Sequence, residues 1–235
     1  MEKENIPKHV AIIPDGNRRW AKSKGKKPWE GHYAGADCTE KIVEAAYKIG
    51  INCMTFWGSS IDNLKKRPLH EKRALLDVYE KYFKRLIESK EIYENETRIN
   101  VIGRWEEQLP ESLKKIIRDG IEKTKHFKKR SLNFMVAYSG TDEMVQVAQN
   151  IADKYKKGMK ITAEILKENL MTADIPAVDL LIRTGGEPHN SAGFMMWDTA
   201  DAQLYFSEKM YPDFGAKEFK EAIEEYQRRE RRLGK

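Results

Sequence analysis

Short apolar runs recur along the chain, and turn-forming residues such as Gly, Pro, Asn and Ser stand next to most of them. Apolar runs of about four to eight residues bounded by turn signals are typical of buried strands. The pattern predicts six strands, over Val10–Ile13, Ile51–Trp57, Arg98–Ile102, Leu132–Tyr138, Val178–Ile182 and Gln203–Phe206.

The segments between these runs have apolar residues at helical spacing. The longest, from Leu69 to about Tyr93, places apolar side chains every three or four residues on one side of a helix. Helices are predicted over Arg18 to about Ser23, Ala36–Ile49, Leu69 to about Tyr93, Pro110–Thr124, Asp142–Tyr155, Thr162–Leu170 and Lys217–Arg231. Strands separated by helices favour an α/β fold with a parallel sheet and helices on its faces. Because no repeat or linker interrupts the pattern, we expect one domain over residues 1–235.

Polar residues follow three of the predicted strands directly. Asp15 follows the first strand, Ser59 and Ser60 follow the second, and the segment 183–186 follows the fifth. In parallel sheets, ligands lie beyond the carboxyl ends of the strands. We therefore expect these three loops to meet at one edge of the sheet.

The loop around Asp15 combines a carboxylate with groups that bind anions. Pro14-Asp15-Gly16-Asn17 leads directly into Arg18-Arg19-Trp20, which is typical of a helix start. Backbone N–H groups at a helix start, together with guanidinium groups, suit a phosphate ester. A single carboxylate among them suggests Mg²⁺ carried in with the phosphate, since Mg²⁺ usually binds one or two carboxylates plus substrate oxygens. The alternative is an ordinary turn followed by two solvated arginines.

A second candidate is the segment Arg183-Thr184-Gly185-Gly186-Glu187, with His189 and Ser191 shortly after it. Adjacent glycines allow a ligand to approach the backbone, and Arg183 offers a planar fork for phosphate oxygens. The alternative is a Gly-Gly turn in which Arg183 pairs with Glu187.

Three further polar residues have two interpretations each. Ser60 and Asn63 could hydrogen-bond a substrate, but the same residue types favour a helix N-cap and a turn. His32 could pass a proton or contact a diphosphate because its charge is tunable near neutral pH. It could equally be a structural histidine.

Composition narrows the class of partner. The 235 residues are 40% hydrophobic and 34% charged, with a net charge of +6. A basic chain suits a diphosphate, an anionic membrane surface or nucleic acid. Since Lys and Arg are spread through the helices, solvated helix faces explain most of them. The chain contains no recognised nucleic-acid-binding motif, so we expect no nucleic acid partner.

Cysteine content and hydropathy suggest a cytoplasmic protein. Cys38 and Cys53 form neither a metal-ligand spacing nor a disulfide framework, and we expect both to be reduced and buried. No apolar run approaches the length of a membrane span, and the first five residues lack a signal-peptide core. Any membrane contact is therefore expected to be peripheral.

Several motifs together resemble one enzyme family. In order along the chain they are Pro14–Ala21, Gly31–Gly35, the Ser60…Asn63 loop, Arg183–Glu187 and Arg231–Gly234. Their order and spacing resemble the cis-prenyltransferases, which include undecaprenyl diphosphate synthase, and the resemblance covers nearly the whole chain. It implies a six-stranded, mostly parallel sheet flanked by helices, usually in a homodimer. It also implies a hydrophobic tunnel for a prenyl tail, lined by the helix after Ala36 and the helix Leu69–Tyr93.

The resemblance implies roles for individual residues on the donor side. Asp15 would handle Mg²⁺ and the diphosphate of an allylic donor, with His32 and Asn63 assisting catalysis nearby. Typical members have an Arg where this chain has Pro28, and neighbouring lysines would compensate. The residues implied in donor diphosphate binding are Gly16, Asn17, Arg18, Arg19, Trp20, Lys26 and Lys27.

On the acceptor side the chain departs from the family pattern. An Arg that holds isopentenyl diphosphate in typical members is replaced by His189, and a Glu that helps hold its Mg²⁺ is replaced by Gln203. Each lost charge-assisted contact can cost about 1.5–3 kcal/mol, so two losses would weaken isopentenyl diphosphate by on the order of a hundredfold. Compensation by Asp201 would reduce this loss. The acceptor-side residues implied are Ser60, Asp62, Arg183, Glu187, His189, Ser191, Gln203 and Arg232.

These features lead to the hypothesis of a Mg²⁺-dependent prenyltransferase that ionises an allylic prenyl diphosphate and uses an acceptor other than isopentenyl diphosphate. The hydroxyl of an aromatic compound, of phenazine or quinol type, would suit the altered edge, with His189, Asp62 or Glu187 as proton acceptor. One alternative is cis chain elongation with isopentenyl diphosphate, as in undecaprenyl or polyprenyl diphosphate synthases. Another is a non-catalytic partner subunit, which the intact Asp-Gly-Asn loop disfavours.

Overall fold

Six parallel strands form the centre of the computed structural model, which describes residues 5–66, 68–154, 156 and 158–229. The strand order is β3-β4-β2-β1-β5-β6, and every neighbouring pair is parallel. The expected α/β class is confirmed, although the sheet is entirely rather than mostly parallel. The strands are β1 His9–Ile13, β2 Cys53–Trp57, β3 Thr97–Ile102, β4 Arg130–Met135, β5 Leu180–Arg183 and β6 Gln203–Phe206.

Strand β1 is buried along its whole length between β2 and β5. Its side chains alternate between the two faces: Val10 and Ile12 join one core, and Ala11 and Ile13 join the other. Helices α2, α4 and α7 contribute to the first core. Because both neighbours of β1 run parallel to it, the loops after β1, β2 and β5 leave from one edge of the sheet.

The helices cover both faces. They are α1 Asn17–Ser23, α2 Pro28–Ile49, α3 Ile61–Lys66, α4 Leu69–Glu88, α5 Lys90–Glu94, α6 Trp105–Gln108, α7 Glu111–Thr124, α8 Gly140–Lys154, α9 Ala163–Glu168 and α10 Ala216–Arg228, with a 3-10 turn at Tyr211–Asp213. No helix within the described ranges combines the length and apolar composition needed to cross a membrane.

Several predicted bounds are wrong. Helix α2 begins eight residues earlier than predicted, with Pro28 in its first turn. Helix α4 ends at Glu88 because Ser89 is extended, with ψ 125°, and a separate short helix follows. Strand β4 begins at the polar Arg130, two residues earlier than predicted. It ends at Met135, three residues earlier than predicted. The short helices α3 and α6 were not predicted, and Tyr155 and Arg231 lie outside the described residues.

A buried polar cluster supports the start of β1. The His9 side chain is fully buried, with Nδ1 2.8 Å from the Pro176 carbonyl oxygen and Nε2 2.7 Å from Thr55 Oγ1. Since a carbonyl only accepts, Nδ1 donates and Nε2 accepts from Thr55. Burial lowers the pKa of His9 and favours this neutral form.

Both cysteines are free and buried, as predicted. Burial raises the pKa of Cys38 to about 12 and that of Cys53 to about 11, which disfavours the thiolate form that reacts or binds metal.

We expect His9 to make the stability of the fold depend on pH. An unfolded histidine takes up a proton below about pH 6.5, whereas the lowered pKa of folded His9 resists it, so stability falls as pH drops below this value. Between about pH 6.5 and the pKa of folded His9, each pH unit lowers the free energy of unfolding by up to about 1.4 kcal/mol for this one proton. Urea unfolding of wild type and His9→Gln between pH 8 and pH 5 measures this. The variant should be less stable at pH 8 but lose less stability on acidification; equal slopes would exclude His9 as the cause.

Candidate active site

Two loops are joined at the carboxyl ends of β1 and β5. The Thr184 hydroxyl accepts a hydrogen bond from the Asp15 backbone N–H at 2.9 Å and donates to the Asp15 carbonyl at 2.8 Å. The Tyr211 N–H also donates to this carbonyl, at 2.9 Å. The backbone of Asp15 is therefore fixed from two directions.

The Asp15 carboxylate lies among donors. Its Oδ1 accepts from the Gly16 N–H at 2.6 Å and from Arg19 at 3.3 Å, and its Oδ2 accepts from Arg183 Nη2 at 2.8 Å. The Asp15 side chain is 32% exposed, whereas that of Arg183 is 6% exposed. Arg183 thus pairs with Asp15 and not with Glu187, which lies 3.8 Å from Arg19 instead.

Arg183 also holds the following loop. Its Nη1 donates to the His189 carbonyl at 2.7 Å and to Ser191 Oγ at 2.5 Å. The His189 ring lies next to this contact, with Nε2 3.3 Å from Ser191 Oγ and Nδ1 3.9 Å from Glu187 Oε2. The buried Nε of Arg183 has no hydrogen-bond partner among the described residues, which leaves a donor for a ligand.

Close packing of α1 against α2 positions Asn17. The Asn17 amide nitrogen donates to the Pro14 carbonyl at 3.1 Å. A Cβ at Gly31 would lie 2.0 Å from the Asn17 carbonyl oxygen, and one at Gly35 would lie 2.4 Å from Asn17 Oδ1. A side chain at Gly31 would therefore have to displace the Asn17 backbone, and one at Gly35 would have to displace the Asn17 side chain.

A cavity of about 720 Å³ runs from this edge between the sheet and helices α2 and α4. Its mouth is polar and basic, and its inner wall is mostly apolar and aromatic. The hydroxyl of Tyr82 is buried in that wall, and burial raises the pKa of this tyrosine, so it stays protonated. The inner wall includes Ala36, Phe56, Leu75, Val78, Tyr79, Tyr82, Phe83, Phe134 and Val136.

Most of the donor-side residues named from the sequence meet at the cavity mouth. Of all the predicted site residues, those that line the cavity are Asp15, Gly16, Asn17, Arg18, Arg19, Lys26, His32, Asn63, Arg183 and Ser191. The expectation that three strand-end loops converge at one edge is thus confirmed.

Other predicted site residues have different surroundings. Trp20 donates from Nε1 to Asp213 at 2.8 Å, and Lys27 Nζ lies 5.2 Å from the Trp29 ring centroid. Ser60 accepts from the Asn63 N–H at 3.0 Å, which is the N-cap interpretation. None of these three predicted residues lines the cavity.

Asp62 is exposed and pairs with Lys66 at 2.7 Å. It does not line the cavity, nor do Glu187 and His189, although His189 lies directly behind Ser191. Arg232 lies outside the described residues.

Gln203 lies at the end of its strand that is away from the Asp15 edge. It is the first residue of β6 and is paired with Leu180, whereas Phe206 at the other end is paired with Arg183. Three residues of strand span about 10 Å, so Gln203 lies near the amino edge of the sheet, away from Asp15. Within this chain Gln203 does not line the cavity, because it is at the start of β6 and the cavity mouth is beyond the ends of the strands.

Sequence reasoning missed several cavity residues. Lys22, Thr39 and Tyr211 line the cavity but carry no motif of their own. Lys22 follows the arginine pair by one helical turn, a signal that could have found it. Thr39 and Tyr211 hydrogen-bond each other at 2.8 Å across 172 positions, which no local pattern reveals.

Metal binding would have to rely on few protein ligands. Within the described residues, no three His, Cys, Asp or Glu side chains are close enough to hold a metal ion together. Asp15 offers a partly exposed carboxylate at the mouth, which fits a cation that takes most of its ligands from substrate and water.

The chain matches the family model described as putative undecaprenyl diphosphate synthase over residues 13–234. It belongs to this family, the cis-prenyltransferases. The enzyme is therefore a prenyltransferase, as the sequence motifs implied.

Named relatives span nearly the whole chain. A tritrans,polycis-undecaprenyl-diphosphate synthase (geranylgeranyl-diphosphate specific) of Methanocaldococcus jannaschii is 38% identical, covering 100% of this chain and 85% of the relative. An isoprenyl transferase of Chlorobaculum tepidum is 39% identical, with 98% and 86% covered. The crystal structure of lavandulyl diphosphate synthase from Lavandula x intermedia, in complex with dimethylallyl diphosphate, is 32% identical with a TM-score of 0.89, covering 99% of this chain and 100% of the other.

We expect Gly31→Ala to destabilise the fold and weaken donor binding, although alanine normally stabilises a helix interior relative to glycine by about 0.5–1 kcal/mol. The added Cβ must displace the Asn17 backbone, and such overpacking costs about 1–3 kcal/mol. Gly120→Ala in α7 is the matched control, because its Cβ would meet only side-chain atoms of Ile87, at 2.8 Å. Urea unfolding and the KM for donor measure the two effects. A Gly31→Ala enzyme as stable as the Gly120→Ala enzyme would contradict the steric argument.

Proposed function

We propose that this cis-prenyltransferase condenses an allylic prenyl diphosphate with isopentenyl diphosphate to lengthen the prenyl chain in cis. The observation that carries the proposal is a single cavity whose mouth contains Asp15 and arginines and whose interior is apolar. It accommodates a charged head and an apolar tail at the same time. The relatives are named as synthases of prenyl diphosphates, which supports a diphosphate-bearing product.

The donor diphosphate would lie at the mouth, against Arg18, Arg19 and Lys26, with Lys22 beside them. Asp15 would hold Mg²⁺ together with substrate oxygens, and when bound the ion would neutralise charge on the departing diphosphate. In the reaction, the bond between donor C1 and oxygen breaks and diphosphate leaves with the electron pair. The acceptor alkene then forms the new carbon–carbon bond and loses a proton. Asn63 and His32 line the cavity where this carbon centre would lie.

The structure weakens the case for a different acceptor. Two substitutions led to that hypothesis, but Gln203 does not face this chain's cavity. Arg183 and Ser191 both line the cavity at its mouth, and the Ser191 hydroxyl lies next to the Arg183 guanidinium. Chain elongation is therefore the better supported reaction. Of the two substitutions, only His189 lies next to Arg183 and Ser191.

Transfer to the hydroxyl of a phenazine-type or quinol-type compound is a second candidate. It is favoured by the proximity of His189 to Glu187, a pair that could take up a proton from such an acceptor. A non-catalytic partner subunit is less well supported, because the Asp15 loop is complete and hydrogen bonds hold both the backbone and the carboxylate of Asp15 in place.

We also propose a cytoplasmic homodimer with peripheral membrane contact. Strand β6 is at the edge of the sheet, and Leu204 and Phe206 on it are 44% and 39% exposed. Edge strands with apolar side chains favour a second chain as partner.

Asp15→Asn should lower kcat/KM for condensation by at least about a hundredfold, since one electrostatic contact to developing charge is worth about 10²–10³ in kcat. The readout is labelled isopentenyl diphosphate incorporated into product, with dimethylallyl, farnesyl or geranylgeranyl diphosphate as donor and Mg²⁺ present. The control is Asp119→Asn, which changes an exposed carboxylate on α7. Mass spectrometry of the products identifies any chain growth. Unchanged turnover by Asp15→Asn would refute the proposed donor site.

His189→Arg should lower the KM for isopentenyl diphosphate by up to about tenfold, because it adds a permanent cation beside Ser191; the exposed position limits the gain. His189→Gln, which removes the imidazole ring next to Ser191 but keeps a polar side chain, should raise this KM. Initial rates at saturating donor measure both. If neither variant affects isopentenyl diphosphate while both abolish prenylation of an aromatic hydroxyl supplied by cell extract, the second candidate replaces the first.

A further inference from the structure

The positive charge of the chain is concentrated on two segments beside the cavity mouth. Segments 22–30 and 61–73 contain nine basic and three acidic side chains, a net charge of +6. This equals the net charge of the whole chain, so the other residues together are neutral. The expectation that solvated helix faces explain most of the basic residues does not account for this concentration of positive charge on two segments.

The two segments adjoin in space. The rings of Trp29 and His70 meet edge to face with centroids 6.2 Å apart, and Arg18 Nε lies 3.6 Å from Glu71 Oε2. The first turns of α1 and α2 therefore lie against the start of α4. We call their exposed side the basic mouth surface: Lys22, Lys24, Lys26, Lys27, Trp29, Lys65, Lys66, Leu69, His70 and Arg73.

Part of this surface has no role in the cavity. Lys24, Lys65 and Arg73 are exposed and do not line it. The acidic side chains Asp62 and Glu71 on the same segments are engaged with Lys66 and Arg18. The exposed cations are thus available to an extended anionic partner outside the cavity.

Apolar and aromatic groups accompany these cations. The Leu69 side chain is 75% exposed at the start of α4. Lys26 Nζ lies 5.5 Å from the ring centroid of Trp20, and Lys27 Nζ lies 5.2 Å from that of Trp29. Tryptophan, lysine and exposed aliphatic groups together are typical of surfaces that lie in a membrane interface. A nucleic acid would use the cations but would gain little from Leu69.

We propose that the basic mouth surface docks the protein onto an anionic lipid bilayer, with the cavity opening at the membrane interface. The inference rests on the proposed function only in that a prenyl tail must pass this mouth. Leu69 and Trp29 would enter the headgroup region while the lysines remain at the anionic lipid headgroups. An apolar product could then leave the cavity without crossing bulk water.

The test is co-sedimentation of the full chain, without substrate, with vesicles of phosphatidylcholine alone or of equal parts phosphatidylcholine and phosphatidylglycerol. Partition should be at least about tenfold stronger on the anionic vesicles and should weaken with salt. The triple variant Lys24→Glu/Lys65→Glu/Arg73→Glu should bind the anionic vesicles at least about tenfold more weakly than wild type. The control Lys123→Glu/Lys128→Glu/Lys129→Glu makes the same charge change near the amino edge of the sheet and should keep most of the binding. Leu69→Ser should reduce the binding that persists at high salt.

Equal binding to both vesicle types, or equal losses in the two triple variants, would overturn the proposal. So would a single-stranded oligonucleotide that binds more tightly than the vesicles and is indifferent to Leu69→Ser. Turnover of dimethylallyl diphosphate without vesicles, which both triple variants should retain, separates this result from the proposed function. Failure of turnover in wild type with every donor would refute the reaction and leave the vesicle result standing.

Discussion

The parallel pairing of β1 with both β2 and β5 is the constraint on which the site depends. It brings the loops after Ile13, Trp57 and Arg183 to one edge of the sheet, although these residues are far apart in sequence. Thr184 then joins two of these loops through the backbone of Asp15. The catalytic geometry is consequently a property of the core, since any slip of β5 against β1 would move Arg183 away from Asp15.

The electrostatics of this edge follow from the same arrangement. Arg183 is buried, and its charge would be costly without a partner; Asp15 supplies that partner. The carboxylate keeps further lone pairs for other ligands, and the guanidinium keeps its buried Nε. The pairing therefore compensates the buried charge of Arg183 and leaves both side chains able to bind an anion together with its cation. Additional arginines at the mouth make the surroundings of Asp15 positive overall, which suits a substrate that brings several negative charges.

Local patterns predicted the class of fold and the donor half of the cavity mouth. They did not predict the start of α2 or the inner wall of the cavity. Alternation of apolar runs with amphipathic segments was sufficient for the sheet, and the Asp15 loop carried its chemistry in adjacent residues. The early start of α2 was missed because Gly31 and Gly35 weaken helix propensity, and their necessity comes from contact with Asn17 in another helix. The inner wall, built by Tyr82 and Phe134 from distant segments, depends on tertiary packing that periodicity does not encode.

The meaning of a substitution depends on where the fold places it. His189 and Gln203 looked like two losses from one acceptor pocket, yet the register of β6 with β5 puts them near opposite edges of the sheet. Gln203 has a buried Oε1 for which the described residues supply no hydrogen-bond donor, whereas most buried acceptors in folded proteins are paired. It lies on an edge strand with exposed apolar neighbours, where a second copy of the chain could reach it. The amide is then more informative about assembly than about which acceptor the enzyme uses.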